Sequence, residues 1–304
     1  MSSVIVLLST YNGEKYLKEQ IDSILRQKDV DVSILVRDDG SSDGTIKILE
    51  EYNKQFGNFS YYQGVNCGPA KSFLDLLKTA DEADYYAFSD QDDLWDDDKL
   101  SCAVRILKHM DDSKPLLYYS NLRVVDENLQ FYRNAHSTKL YNPNKYSALT
   151  ENLSGGCTAV MNYKTKRLIT DRMPDYCTMH DTWIYTVCKI LGDTVYDETP
   201  HMSYRQHGNN VVGTHLKKNR IKTIKEKIQR LFNRGLQPRY VTAINLYKCF
   251  GDIMDNEDRE KVLKIINYKR SLKDRMNLFF DKDIRATTRY GNLRFRLHIL
   301  WGTV

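Results

Sequence analysis

The sequence lacks any run of apolar residues long enough to cross a membrane. A spanning helix needs roughly 20 mostly apolar residues, and the first residues, Met1–Leu8, have neither the basic start nor the long apolar stretch of a secretory signal. We therefore expect a cytoplasmic protein. The six cysteines show no Cys-x-x-Cys spacing, which predicts free thiols and gives no sign of a zinc site.

Several ligand-binding signatures are also missing. Neither G-x-G-x-x-G nor G-x-x-x-x-G-K-[ST] occurs, which excludes the usual dinucleotide and P-loop phosphate sites. There is no zinc-finger spacing, RNP-like motif or heptad-linked basic region, so we expect no nucleic-acid partner.

Charge is distributed unevenly along the chain. Residues 1–213 hold 23 basic and 31 acidic residues, whereas residues 214–304 hold 22 basic and 9 acidic residues. The change predicts two domains, 1–213 and 214–304, the second formed by helices that begin with a basic amphipathic helix over Arg220–Phe232. This helix either binds an anionic partner or packs its apolar stripe on the rest of the protein.

The first 213 residues alternate short β-rich runs with helical patterns, which predicts an α/β fold with a mostly parallel sheet flanked by helices. We expect strands at Val4–Leu8, Val32–Val36, Phe59–Gln63 and Tyr85–Phe88. Polar loops follow these strands, and ligands bind at the carboxyl ends of such sheets. A nucleotide cleft is therefore expected there.

Two acidic motifs lie in these loops. Asp90-Gln91-Asp92-Asp93 places three carboxylates within four residues, which indicates either a Mg²⁺ or Mn²⁺ site or a solvated acidic turn. Asp38-Asp39-Gly40 is typical equally of a nucleoside contact and of a plain Asp-Gly turn.

The order of motifs over the first 213 residues resembles that of inverting family 2 glycosyltransferases, which have the Rossmann-like GT-A fold. The resemblance depends on the following segments: Ser9–Asn12, Gln20–Ile24, Asp38–Thr45, Asn66–Gly68, Ser89–Trp95, Ser154–Cys157, His180–Trp183 and Tyr204–Asn210.

The resemblance implies a role for each matching residue. It makes Asp181 the catalytic base and gives Asp92 and His207 as ligands of Mn²⁺ or Mg²⁺. The implied nucleotide-sugar contacts are Thr10, Tyr11, Asp39, Asn66, Gly68, Lys71, Asp90 and Trp95. Three of these assignments keep an alternative: Trp95 as a core aromatic, His207 as a structural loop histidine, and Asp181 as a helix cap.

The implied activity is transfer of one sugar from a nucleotide-sugar donor to a hydroxyl, with inversion at the anomeric carbon. Within the family, the motifs most resemble bacterial rhamnosyltransferases of cell-wall and capsular polysaccharide assembly, which implies dTDP-β-L-rhamnose as donor and a lipid-linked glycan as acceptor. UDP-hexoses and UDP-N-acetylhexosamines remain alternative donors. A nucleotidyltransferase and a non-catalytic nucleotide-sugar-binding protein remain alternative classes.

The basic C-terminal region is consistent with a lipid-linked acceptor, because each basic residue near an anionic surface contributes about 1 kcal/mol. We therefore expect a peripheral protein at the inner face of the cytoplasmic membrane. The sequence leaves a homo-oligomer open.

Overall fold

The computed structural model describes residues 1–136, 143–207 and 237–304. The chain divides into two compact units. The first comprises Met1–Lys139, Leu153–Asp171 and Met179–His207, and the second comprises Leu140–Asn152, Arg172–Thr178 and Gly208–Val304.

The first unit is built on a seven-stranded sheet with the strand order β10-β6-β9-β4-β1-β2-β3. All neighbouring strands are parallel except that β9 pairs antiparallel with both β4 and β6. The strands are β1 Ser3–Thr10, β2 Asp31–Asp38, β3 Phe59–Gln63, β4 Tyr85–Ser89, β6 Leu116–Ser120, β9 Val160–Asn162 and β10 Asp193–Asp197. The predicted α/β fold with a mostly parallel sheet is confirmed.

The continuous apolar run of β1 reflects burial on both faces of this sheet. Val4, Val6 and Leu8 belong to the main hydrophobic core. Leu7 is equally buried, and strand alternation directs it to the opposite face.

Six helices of the first unit are amphipathic elements that cover the sheet. They are α1 Leu17–Leu25, α2 Thr45–Gln55, α3 Pro69–Thr79, α4 Lys99–Leu107, α5 Tyr163–Asp171 and α6 His180–Leu191. Leu17, Ile21 and Ile24 of α1 are buried as the spacing predicts.

A second sheet of four short strands has the order β5-β11-β7-β8. Its strands are β5 Leu94–Trp95, β7 Arg123–Val125, β8 Phe131–Asn134 and β11 Met202–Arg205. Because β5 follows the acidic motif directly and pairs with β11, this sheet joins that motif to a segment more than a hundred residues later.

In the second unit, the described helices are α7 Pro238–Phe250, α8 Asn256–Asn267, α9 Leu272–Phe279 and α10 Arg289–Trp301. The unit is not a continuous C-terminal tail. Lys145 Nζ and the Tyr146 hydroxyl donate to the Asp258 carboxylate of α8 over 2.7 and 3.1 Å, and Arg172 donates to the Cys249 carbonyl over 2.9 Å. Charge composition alone did not indicate these long-range contacts.

Among the described helices, none is both long enough and apolar enough to cross a membrane. The predicted helix over Arg220–Phe232 lies outside the described residues.

Candidate active site

The loop after β1 is held in place by Gln91. Thr10 Oγ1 and the Tyr11 N–H both donate to Gln91 Oε1, over 2.6 and 2.8 Å, and Gln91 Nε2 donates to the Tyr11 carbonyl over 3.2 Å. A Cβ on Gly13 would lie 2.6 Å from Thr10 Oγ1, so the loop requires glycine there. Thr10 is buried and the Tyr11 side chain is exposed. The side chain available to a ligand is therefore that of Tyr11.

No role was predicted for Gln91 from the sequence. A glutamine side chain carries both a hydrogen-bond donor and an acceptor. Its presence among aspartates was the one feature of the sequence that could have indicated a role in positioning a loop. The contact joins the carboxyl ends of β1 and β4, which are neighbours in the sheet.

Asp39, which directly follows β2, has its carboxylate engaged by protein groups. Its oxygens accept from Arg37 Nη1 and from the N–H groups of Cys67 and Gly68, the latter two at 3.0 Å. Burial acts to raise the pKa of Asp39, but the hydrogen bonds, led by that from Arg37, lower this pKa below its usual range. A nucleoside imide would have to displace one of these donors to reach Asp39.

These hydrogen bonds fix the loop that precedes α3. Gly68 has φ +79°, a conformation that favours glycine. Asn66 and Lys71 on either side of it are exposed. The structure thus gathers Asn66 and Gly68 beside Asp39 and leaves the Lys71 side chain in solvent at the first turn of α3.

Asp92 and His207, both predicted as metal ligands, meet directly. Asp92 Oδ2 lies 2.6 Å from His207 Nε2. The two side chains are largely buried, and the His207 ring centroid lies 5.1 Å from that of Tyr16. An imidazole nitrogen and a carboxylate oxygen therefore converge at one point.

Arg205, two residues before His207, anchors this contact. Its Nε donates to the Asp92 carbonyl over 3.0 Å and its Nη1 to the Glu127 carbonyl over 2.8 Å. It also pairs with Glu19 of α1. Because Arg205 binds the backbone of Asp92, β11 carries His207 to the acidic motif.

The pKa values of the other two carboxylates of the motif, those of Asp90 and Asp93, are raised. Burial, followed by the charges of Asp92 and Asp181, raises the pKa of Asp90 to about 7. Burial and the charge of Asp90 raise the pKa of Asp93 well above its usual range. Burial also lowers the pKa of Lys99, which donates to the Cys157 carbonyl over 2.8 Å, to about 7. Lys99 therefore compensates the acidic charge of the motif poorly.

This donor set fits a divalent cation. No side chain among the described residues donates a hydrogen bond to the carboxylate of the fully buried Asp93, and buried polar groups are ordinarily well supplied with such partners. Carboxylate oxygens suit Mg²⁺ and Mn²⁺, and the imidazole of His207 extends the choice towards transition metals. Asp92 and His207, the predicted ligands, contact each other, and at the same motif the ligand atoms of Asp90, Asp93 and Cys157 lie within 4.8 Å of one another.

Asp181 lies in the first turn of α6. The N-cap residue of this helix is Met179, and no side chain makes a capping hydrogen bond. Asp181 Oδ1 instead accepts from the N–H of its neighbour Thr182 over 2.6 Å. Asp181 thus binds a free N–H group in the first turn of α6 without being its N-cap residue. Its charge also contributes to the raised pKa of Asp90.

Gly156 permits a close approach to the start of α6. A Cβ at Gly156 would lie 2.8 Å from His180 Nε2 and 3.4 Å from Asp181 Cβ. His180 is buried, its ring centroid lies 4.1 Å from that of Phe73, and burial lowers its pKa to about 4. A larger residue at position 156 would therefore collide with His180, the first residue of α6.

Trp95 corrects one sequence-based expectation. It is 2% exposed and belongs to the hydrophobic core, and Lys99 Nζ lies 3.1 Å from its ring centroid. A side chain enclosed in this way does not face a sugar, so the core alternative holds. The end of the last predicted motif, residues 208–210, lies outside the described residues.

Comparison with known proteins agrees with this geometry. The sequence profile of glycosyl transferase family 2 matches residues 5–169. The chain is 33% identical to the dTDP-rhamnosyl transferase RfbG of Shigella flexneri over 241 residues, which is 74% of this chain and 78% of RfbG.

Two solved structures share the fold. S. aureus TarS 1–349 in complex with UDP is similar with a TM-score of 0.54 and 17% identity, covering 98% of this chain and 90% of TarS. The mannosyltransferase PcManGT of Pyrobaculum calidifontis, in complex with GDP-Man and Mn²⁺, is similar with a TM-score of 0.52 and 16% identity, covering 99% and 88%. By its sequence match, the chain belongs to glycosyltransferase family 2, and its fold is that of the GT-A enzymes.

Proposed function

We propose that this glycosyltransferase is a metal-dependent, inverting enzyme that transfers L-rhamnose from dTDP-β-L-rhamnose to a hydroxyl of a lipid-linked glycan in cell-wall or capsular polysaccharide synthesis. The observation that carries the metal dependence is the 2.6 Å approach of Asp92 and His207 at the edge of the sheet where nucleotides bind. The similarity to the S. flexneri rhamnosyl transferase supports the donor.

The proposed role of the metal follows from the negative charge that develops on the leaving group. A nucleoside diphosphate gains negative charge as it leaves, and a divalent cation, when bound, stabilises that charge as a Lewis acid. Asp92 and His207 would hold the cation, and Asp90, at the same strand end, would contact the donor beside it. Burial, followed by the charges of Asp92 and Asp181, raises the pKa of Asp90, and a cation bound beside it would lower this pKa.

Asp181 is the proposed base. A sugar hydroxyl is a weak nucleophile near pH 7, so a carboxylate must accept its proton as the C–O bond forms. One base and a single displacement give inversion, which converts a β-L-rhamnosyl donor into an α-L-rhamnosyl product.

For the nucleoside, we propose contacts with Tyr11, Asn66 and Lys71, whose side chains are exposed at the edge that carries the acidic motif. The predicted donor site also includes Thr10, Asp39 and Gly68. We propose that their hydrogen bonds fix the loop after β1 and the loop before α3.

The helical unit supports association with an anionic membrane. On α10, the side chains of Tyr290, Leu293 and Trp301 are 71%, 58% and 40% exposed, and helical spacing places them on one side. Arg289 and Arg294 are exposed beside them. Aromatic and aliphatic side chains flanked by arginine are the composition that binds the headgroup region of anionic lipids, where a lipid-linked acceptor would lie.

A donor panel tests the proposal. Thermal unfolding and hydrolysis with Mn²⁺ should respond to dTDP and dTDP-β-L-rhamnose more strongly than to UDP, UDP-glucose, UDP-galactose or UDP-N-acetylglucosamine. A response confined to UDP and its sugars would overturn the rhamnose donor, and no response to any nucleotide sugar would contradict the proposed donor site as a whole.

A further inference from the structure

The structure brings together a second group of metal-binding side chains, which shares no residue with the donor site. Asp98, Cys102 and His201 offer ligand atoms that all lie within 4.8 Å of one another. Asp98 immediately precedes α4, Cys102 lies one turn into that helix, and His201 immediately precedes β11. The cluster thus joins a helix of the first unit to the small sheet.

Asp98 does not perform the role that its position predicts. It is the N-cap residue of α4, where aspartate ordinarily accepts from a backbone N–H of the first turn, yet its side chain makes no capping bond. Its oxygens instead lie 3.3 Å from His201 Nδ1 and 3.6 Å from Cys102 Sγ. The carboxylate is therefore directed at the histidine and the thiol.

His201 is buried and held from its other side. Its Nε2 lies 3.2 Å from Asp197 Oδ2, and this carboxylate also accepts from the Tyr118 hydroxyl over 3.0 Å and from the Thr199 N–H over 2.8 Å. A hydrogen on Nε2 that points at Asp197 leaves the lone pair of Nδ1 facing Asp98. In this tautomer, Nδ1 and the Asp98 oxygen, 3.3 Å apart, are both available as metal ligands.

We propose that Asp98, Cys102 and His201 bind Zn²⁺. Nitrogen, sulfur and oxygen ligands of this kind select zinc, whereas Mg²⁺ and Mn²⁺ prefer oxygen. Asp197 would orient His201 as the outer carboxylate that zinc-binding histidines ordinarily have. One carboxylate and one thiolate balance the two charges of the ion, and water completes the coordination through the exposed side of Asp98.

Binding of zinc requires the Cys102 thiol to lose its proton. Burial, then the charge of Asp98, raises the pKa of this thiol, and Arg105 opposes the rise from 3.5 Å. The proton leaves to solvent as the metal–sulfur bond forms, so zinc affinity should increase with pH.

No sequence motif indicates this site, because His201 is 103 residues from Asp98 and neither residue belongs to a metal-binding spacing. Only the pairing of β5 with β11 brings them together.

Co²⁺ titration of the full chain tests the proposal, since a cysteine thiolate bound to Co²⁺ gives a charge-transfer absorption that oxygen and nitrogen ligands do not. The Asp92→Asn background is used so that the donor-site metal does not contribute. We expect one equivalent of Co²⁺ to produce this band, Zn²⁺ to abolish it, and an excess of Mg²⁺ to leave it unchanged.

Single substitutions show which residues bind the Co²⁺ that produces the absorption band. Cys102→Ser and His201→Gln should remove it, and Asp197→Asn should weaken Co²⁺ affinity roughly 10-fold to 100-fold. Cys157→Ser is the matched control, because Cys157 is a second buried cysteine beside carboxylates, and the band should survive there. Zn²⁺ should also raise the thermal unfolding midpoint of Asp92→Asn and not that of the double variant Asp92→Asn/Cys102→Ser.

Absence of the band in the otherwise unchanged Asp92→Asn protein would overturn the proposal. A band that survives Cys102→Ser but disappears in Cys157→Ser would also overturn it, since the metal would then lie in the donor site.

Discussion

Asp92 Oδ2 and His207 Nε2 lie 2.6 Å apart although 115 residues separate them in the chain. The contact is made by two strand ends. β5 begins two residues after Asp92 and pairs with β11, which ends two residues before His207. A metal bound by both side chains would therefore connect the acidic motif to the small sheet.

Asp92→Asn should abolish metal-dependent donor binding, because it removes a charged oxygen ligand from the proposed cation. Calorimetry with dTDP-β-L-rhamnose and Mn²⁺ should give strong heat for wild type and little for the variant. Asp31→Asn is the control, since the exposed Asp31 starts β2 at the opposite edge of the sheet. Unchanged affinity in Asp92→Asn would remove Asp92 from the metal site.

Asp181→Asn should leave donor affinity near that of wild type and reduce the transfer rate by roughly 10²-fold to 10⁴-fold, which is the usual contribution of a general base. The test compares calorimetric affinity with kcat. Asp171→Asn, at the exposed end of α5, is the matched control. Transfer at the wild-type rate in Asp181→Asn would mean that another group accepts the proton.

Gln91→Ala should raise the donor KM by about 10-fold. The variant removes hydrogen bonds that position Tyr11, each worth about 1 kcal/mol, and it leaves the proposed metal ligands intact. The exposed Gln130, between β7 and β8, provides the control Gln130→Ala. A wild-type KM would show that the Tyr11 loop needs no support from Gln91.

Asp93→Asn should stabilise the metal-free protein at high pH. The pKa of Asp93 is raised in the folded state, so the unfolded state loses its proton first and the wild type loses stability as pH rises above the unfolded value. Asparagine does not titrate. The difference in unfolding free energy should therefore grow with pH from about 4 upwards, by at most about 1.4 kcal/mol per unit.

Thermal or denaturant unfolding with a chelator at pH 5 and pH 8 measures this difference. Added Mn²⁺ should reduce the advantage of Asp93→Asn, because the cation compensates the acidic charge of the wild type. A difference that does not change with pH would show that Asp93 titrates normally.

Reversing the charge of Arg289 and Arg294 together should weaken binding of the full chain to anionic vesicles. Reversal at Lys222, Lys225, Lys227 and Arg230, or deletion of residues 214–304, should do the same, and added salt should reduce wild-type binding. Sedimentation with phosphatidylserine-containing vesicles measures the loss. The control reverses exposed Lys54 and Lys78 of the first unit. If the wild-type protein does not bind these vesicles at low salt, the basic region packs on the rest of the protein and does not bind the membrane.

The strands β1 to β4, the helices α1 to α3 and the residues at their ends follow from the sequence alone. Their apolar periodicity is local, and the polar loop after each strand lies at one edge because the strands are parallel. Tertiary structure decided the rest. Four features depend on contacts between residues far apart in the chain. They are the antiparallel pairing of β9, the core position of Trp95, the hydrogen bonds between Gln91 and Tyr11, and the contact between His201 and Asp98. Local patterns carry no information about such contacts, because they depend on how elements pack and pair after each has formed.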